Sequence, residues 1–443
     1  MKKWIVMFGI CLFLAGTTTA QESMKLNLQQ AQEVAVANNY QMQSARLDVD
    51  AADQTVWETL SAGLPQVNAS ASLTDNLMLM TTLVPAMMFN PQAPEGEYIE
   101  LKFGTQFNTS LGVQATQLLF NGPVIVGFQT AKVYRKLAEQ GVEKTEKDIK
   151  ESVANTYYLT LISEESMKII DGNISNLKQT LLQTQRMYDA GMAESTDVDQ
   201  ISVTLTMMEN TKLSMQRNIE LNYNLLRFQL GLTGDTELEL TESLETVMGE
   251  VNAQALLSQA FNLYNSIDMQ MLKTQENLAE LNIKGKKAQY LPTLAGFYNL
   301  SGSGQGDELF DQMWFPSSMI GFQLDIPILS GGQRRAQVAK AKIELEKARV
   351  SQEMVSEQLL MQERQLRYNL KTAMEKYQSE KENVLVAKRV LDNYNLKYEQ
   401  GIISSMELTQ SNSNYLQAEN NHISAMMEVI QAKIALDKLL NNL

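Results

Sequence analysis

Two hydrophobic periods alternate along the chain, one of three to four residues and one of two. The longer period fills the tracts 124–291 and 328–443, which hold none of the eight prolines, Pro65, Pro85, Pro91, Pro94, Pro123, Pro292, Pro316 and Pro327. Proline costs ~3 kcal/mol inside a helix, so these tracts can carry unbroken helices. Apolar seams run through both: Val142, Ile149, Val153, Tyr157 and Leu161 in the first, and Leu408, Tyr415, Val429 and Leu436 at heptad multiples in the second. A helix from about Val124 to Tyr188 would be ~100 Å long at ~1.5 Å per residue, which no compact domain holds.

Around the prolines the period falls to two. From Phe107 to Ala115 every second residue is apolar or small, and Ile320 to Ile326 repeats the alternation. Weaker strands follow Pro65, with Val67, Ala69, Ala71 and Leu73 on one face, and Pro292, from Leu294 to Leu300. This gives four strands in two hairpins, with the connections 76–102 and 301–318 expected as exposed loops. The pieces also repeat. Gly112 to Gly122 lines up with Gly321 to Gly331, and Met187 to Gln200 aligns without gaps to Lys397 to Gln410. The expected division is a first repeat over 21–231, containing a helix, a β-hairpin over 66–120 and a long helical hairpin over 124–231. An acidic linker follows over 232–252. The second repeat, 253–443, contains a helix, a β-hairpin over 293–328 and a helical hairpin over 332–441.

Composition narrows the chemistry. With 37 Lys and Arg against 51 Asp and Glu, the formal charge is −14, which argues against nucleic acid as a partner. A single histidine, His422, and a single cysteine, Cys11, leave no set of ligands for zinc and no disulfide, so neither a metal site nor a cofactor is expected. Met87-Met88 and Met426-Met427 are isolated pairs among scattered methionines, read as gap-fillers in helix packing. There is no phosphate-binding loop and no nucleophile elbow, and the chain is not expected to be an enzyme.

The N-terminus carries Lys2 and Lys3, an apolar run from Trp4 to Ala15 and the small residues Thr18-Thr19-Ala20. This is the layout of a secretory signal peptide over 1–20. No later stretch has 18 uninterrupted apolar residues, so any membrane crossing must use strands of about 9–11 residues. Four strands do not close a barrel, which requires subunits to pool them. In a barrel, Phe107, Leu111, Val113, Ile320, Phe322, Leu324 and Ile326 would face lipid, and Gln114, Gln323 and Asp325 would face water. A soluble sandwich has the same alternation, and a soluble periplasmic coiled-coil adaptor or scaffold is the second reading. Duplication weighs against it, since an adaptor has one helical hairpin and this chain has two.

The strand-to-helix junctions Leu118-Leu119-Phe120-Asn121-Gly122 and Ile326-Pro327-Ile328-Leu329-Ser330-Gly331-Gly332, with the paired Tyr-x-x-Gly turns, resemble the TolC family of outer-membrane efflux proteins. The resemblance covers essentially the whole mature chain. It implies a mainly α fold with a β-barrel part, in which long coiled-coil-like helices form a periplasmic tunnel. Four strands per chain would contribute to a trimeric, twelve-stranded outer-membrane β-barrel set in outer-membrane lipid. It further implies a passive exit duct that works with a periplasmic adaptor and an inner-membrane pump of RND or ABC type, passing small molecules or proteins outward.

Gly191 and Gly401 suit helix C-caps, and Ser404 with Glu407 has capping-box spacing, so helix-hairpin chemistry alone accounts for both turns. By resemblance the turns would be the adaptor-docking tip, at Gly191, Met192, Gly401, Ile402 and Ser404. Glu194 stands where Ser404 stands in the second turn, so the two surfaces differ. Asp197 and Glu407, near the starts of the returning helices, favour the helix dipole there. By resemblance they would ring the periplasmic constriction as a cation-selective gate, with Tyr398 hydrogen-bonded to Asp197. An Arg common in related proteins is replaced by Ile403.

Overall fold

The computed structural model describes residues 24–443, so the expected signal peptide and Cys11 lie outside the described residues. The chain opens with β1 (Met24–Leu26), α1 (Leu28–Asn38) and α2 (Tyr40–Ser61). Four strands follow, β2 (Gln66–Asp75), β3 (Met80–Pro85), β4 (Tyr98–Phe103) and β5 (Phe107–Asn121), leading into the long helix α3 (Gly122–Asp189) and its return α4 (Ser195–Gln229). Next come β6 (Leu238–Leu240), α5 (Leu244–Glu250), α6 (Ala253–Ser258) and α7 (Ile267–Ala288). The second half closes with β7 (Thr293–Gly306), β8 (Met313–Asp325), α8 (Gln333–Glu399) and α9 (Ser405–Leu440). At 68 and 67 residues, α3 and α8 are the rods that the proline-free tracts require.

The chain forms two compact units, and neither coincides with a sequence repeat. One comprises 24–45, 143–266 and 357–443; the other comprises Arg46–Val142 and Ile267–Ser356. Each unit draws on both repeats, because α3 and α8 run unbroken from one unit into the other.

In the second unit β2, β5, β7 and β8 form one antiparallel sheet in that order. Residues directly opposite in a ladder share a face, so the register tests the alternation directly. Ala69 pairs with Val113, Val113 with Leu300, Tyr298 with Ile320, and Leu294 with Leu324. One face is therefore mainly apolar across all four strands, interrupted by Thr109 and Gln117 on β5 and Ser318 on β8. The other carries Asn68, Gln114 and Asn299 in one row, with Gln323 and Asp325 farther along β8. The strands outrun their expected limits: β7 continues through Ser301-Gly302-Ser303-Gly304 to Gly306, leaving only 307–312 as the turn. The glycines there pair against Trp314 and Pro316, where a strand tolerates residues without side chains. The 76–102 connection is also not simply a loop, since β3 and β4 pair within it. Its own alternation was masked by methionine and proline.

The first unit is built on helix seams. Ile149, Val153, Tyr157 and Leu161 of α3 are buried, as are Leu408, Val429 and Leu436 of α9, while Tyr415 is half-buried; Val142, which belongs to the other unit, is also half-buried. Val429 and Leu436 join Leu370, Ala373, Ala253 and Ala432 in one core cluster. The segment after α4 is more than a linker: β6 pairs in parallel with β1, and the buried Tyr157 hydroxyl donates to the Leu26 carbonyl at 3.1 Å. Arg367 of α8 donates to the carbonyls of Leu256 (3.2 Å) and Gln259 (2.6 Å), satisfying acceptors at the end of α6. Lys438 sits 2.6 Å from both Asp148 and Glu151, pinning the end of α9 to α3.

Candidate functional site

The two helix reversals share one backbone design. At the end of α3, Gly191 adopts φ +75°, its N–H donates to Tyr188 O at 2.9 Å and the Met192 N–H donates to Met187 O at 2.8 Å. At the end of α8, Gly401 adopts φ +69°, its N–H donates to Tyr398 O at 2.9 Å and the Ile402 N–H donates to Lys397 O at 2.9 Å. Both are paired Schellman turns, which need a residue free to enter the left-handed region. Gly191, Met192, Gly401, Ile402 and Ser404 are all exposed, and Met192 and Ile402 present apolar side chains to solvent.

Both returning helices start on a capping-box arrangement, built from different side chains. Ser404 and Glu407 form a full capping box: Ser404 N–H donates to Glu407 Oε2 at 2.8 Å, and Glu407 N–H donates to Ser404 Oγ at 3.3 Å. These donations from the Ser404 backbone and hydroxyl hold the Glu407 carboxyl below its usual range, so it is ionised at neutral pH. In the first turn, Asp197 Oδ2 accepts from Glu194 N–H at 3.0 Å, while its Oδ1 accepts from the buried Ser405 hydroxyl. Asp197 therefore caps α4 and ties it to the start of α9.

That use of Asp197 corrects the expected gate contact. Tyr398 does not bond to Asp197; its hydroxyl lies 2.5 Å from Thr184 Oγ1 on α3. Thr184 already donates to Thr180 O at 2.9 Å, so Tyr398 is the donor. Each Asp197 oxygen accepts one bond from elsewhere, and Tyr398 is packed in a buried cluster with Leu391 and Leu408, flanked by Met187, Tyr394 and Ile403. Burial, with the Asp197 charge adding to it, raises the Tyr398 pKa. Ile403 thus contributes packing to this cluster. The matched residue of the first repeat, Tyr188, is 44% exposed against 3% for Tyr398. One repeat keeps its tyrosine as core and the other as surface.

Sequence reasoning missed Thr184, Ser405 and Met187, which join the two hairpins at this end. It also missed the buried amide pair Asn173–Asn412, whose Nδ2–Oδ1 distance is 2.9 Å. Asn412 was visible as a polar residue on the Leu408–Tyr415 seam, but its partner lies 239 residues away. His422 stacks on Tyr377 at 5.2 Å, and burial lowers its pKa, in keeping with a residue packed in a helix seam. No group of residues suited to hold a metal occurs among the described residues. No described helix is long and apolar enough to cross a membrane.

A family model described as outer membrane efflux protein matches residues 31–232 and 256–442. The outer membrane protein TolC of Vibrio cholerae serotype O1 is 21% identical over 421 residues, spanning 92% of this chain and 90% of that protein. The outer membrane efflux protein BepC of Brucella suis biovar 1 is 21% identical over 443 residues, 95% of this chain and 85% of that one. Among solved structures, the outer membrane protein VceC of Vibrio cholerae superposes with a TM-score of 0.69 at 16% identity, covering 93% of this chain and 95% of its own. The chain belongs to the outer membrane efflux protein family. It is an outer-membrane exit duct for efflux or type I secretion, and the soluble-scaffold reading is set aside.

Proposed function

We propose that three copies assemble into one duct, each giving four strands to a twelve-stranded barrel in outer-membrane lipid. The observation that carries this reading is the four-stranded sheet. One of its faces is mainly apolar, from Val67, Ala69 and Ala71 through Leu111 and Val113 to Ile320, Phe322 and Leu324, and its outer strands β2 and β8 have free edges. Bare strand edges cannot stand in a bilayer, so closure by further copies satisfies them. The long helices would extend the duct through the periplasm, and the protein would be passive, with energy supplied by its partners.

In this reading the exposed Schellman turns, with Met192 and Ile402, are the surface that a periplasmic adaptor grips, and the adaptor couples the duct to an inner-membrane pump of RND or ABC type. A photo-reactive side chain at Ile402 is expected to capture an adaptor in intact cells; capture of none, from a correctly localised protein, would reject the docking tip. Asp197 and Glu407 would line the entrance, with three copies multiplying each charge. The double variant Asp197→Ala, Glu407→Ala is expected to lower cation selectivity and alter conductance in a planar bilayer. Unchanged current and selectivity would remove both residues from the entrance.

Tyr398→Phe separates gate from core. It removes only the hydroxyl bonded to Thr184, an expected cost of about 1 kcal/mol, whereas Tyr398→Ala empties a buried site and should cost about 3–5 kcal/mol. If the Tyr398–Thr184 bond holds the entrance shut, Tyr398→Phe raises resting conductance with little change in melting temperature.

A further inference from the structure

The β3–β4 ribbon is an unusual object to leave uncovered. Met80 pairs with Phe103, Thr82 with Leu101 and Val84 with Ile99, so one face of the ribbon is apolar apart from a single threonine. Met80 is 72% exposed and Phe103 is 50% exposed. A two-stranded ribbon is marginal in water unless its apolar face packs on something. Within the chain, β3 and β4 form a separate two-stranded sheet, joined to the larger sheet at Asn76, whose N–H donates to Gln106 O at 2.7 Å.

The register shows what stands beside it. Asp75, where β2 ends, pairs with Phe107; Phe107 pairs with Gly306; and the neighbouring Gln305 pairs with Met313, where β8 begins. The end of β2 and the start of β8 therefore lie on the same rim. The two strands run in opposite directions, so placing the β8 of one copy beside the β2 of the next continues the antiparallel pattern. This brings the neighbour's 307–312 turn to the root of the ribbon. That turn and the start of β8 carry Leu309, Phe310, Met313 and Trp314, all exposed, with Phe310 at 98%.

We infer that the β3–β4 ribbon is a clasp between copies, its Met80/Phe103/Leu101 face receiving Phe310 and its neighbours from the adjacent copy. The inference rests on the three-copy reading above. Apolar burial supplies the attraction and explains why Met80 and Phe103 on the ribbon and Phe310 on the turn are all exposed in one chain, beside the half-buried Leu101. The chain has no cysteine other than Cys11, so labels introduced at this rim report without background.

The test places a benzophenone side chain at Phe310, in the full-length protein co-expressed with an otherwise native copy bearing a second affinity tag. After irradiation of outer membranes, a denaturation-resistant dimer carrying both tags is expected, with its cross-linked peptides joining position 310 to residues 80–103. Cross-links to 80–103 within one chain would overturn the clasp, as would cross-links to lipid or to another protein alone. Sizing of the same non-irradiated sample separates the two failures: three copies without this cross-link reject the clasp only, and a single copy rejects the three-copy reading itself. As a second variant, replacement of 78–103 by a short Gly-Ser turn is expected to leave assembly intact but lower the temperature at which the assembly dissociates. An unchanged dissociation temperature would contradict the clasp.

Discussion

Replacing Val113 with arginine is expected to remove the protein from the outer membrane almost completely. Val113 lies midway along β5, paired with Ala69 on one side and Leu300 on the other, in the middle of the apolar face. An arginine at the centre of a lipid-facing strand costs about 2–4 kcal/mol, and an assembly of several copies incurs that cost once per copy. Gln114, the next residue, pairs with Asn68 and Asn299 on the polar face. Gln114→Arg is therefore expected to insert at close to normal level and to shift the conductance toward anions. The pair differs by one position along one strand, so helix stability and export are common to both. Quantitative blotting of the outer-membrane fraction, followed by bilayer recording of whichever protein is recovered, checks both arms. Equal recovery of the two variants would mean that the two faces have been assigned to the wrong environments.

The second large effect is expected at Gly231, in the unit built on helix seams. It closes α4 with φ +67°, and a Cβ there would stand 2.3 Å from the Asn38 carbonyl oxygen and 2.7 Å from its carbon. A left-handed alanine alone costs about 1–2 kcal/mol. The clash adds to this because the obstruction is backbone, at the break between α1 and α2. That break is itself fixed: Asn39 Nδ2 donates to Gln229 O at 2.7 Å, and Asn39 Oδ1 accepts from Gln41 N–H at 2.8 Å. Gly231→Ala should therefore cost about 3 kcal/mol or more, in the range where single changes impair folding. Gly234→Ala, whose Cβ would meet nothing within 4 Å, is the control and should melt like the parent. Thermal melts of the two purified variants decide it; matching melting temperatures would show that the α1–α2 break yields easily.

How far the sequence alone reached depended on the range of the interaction. The long helices were legible because proline-free tracts with apolar seams such as Val153–Tyr157 and Val429–Leu436 admit little else. The sheet was legible where alternation was strong, from Phe107 to Ala115 and from Ile320 to Ile326. It was misjudged where glycine or methionine blurred the pattern, as at 301–306 and in the β3–β4 ribbon. Helix caps were also readable, since Ser404 and Glu407 are three residues apart and make their bonds locally. The Tyr398–Thr184 and Asp197–Ser405 bonds were not. Their partners lie 214 and 208 residues apart, and which hydroxyl reaches which oxygen is set by how the hairpins pack. A sequence shows a carboxylate and a tyrosine at matched positions; only the fold shows that each bonds to a different partner.

The central claim is that copies of this chain pool their strands to pass through the outer membrane. Native mass spectrometry of the protein extracted from outer membranes in mild detergent tests it most directly. The account predicts a species of three chains, with no stable single chain surviving extraction. A folded single chain as the principal species would contradict it, because the bare edges of β2 and β8 would then have to stand in lipid without a partner.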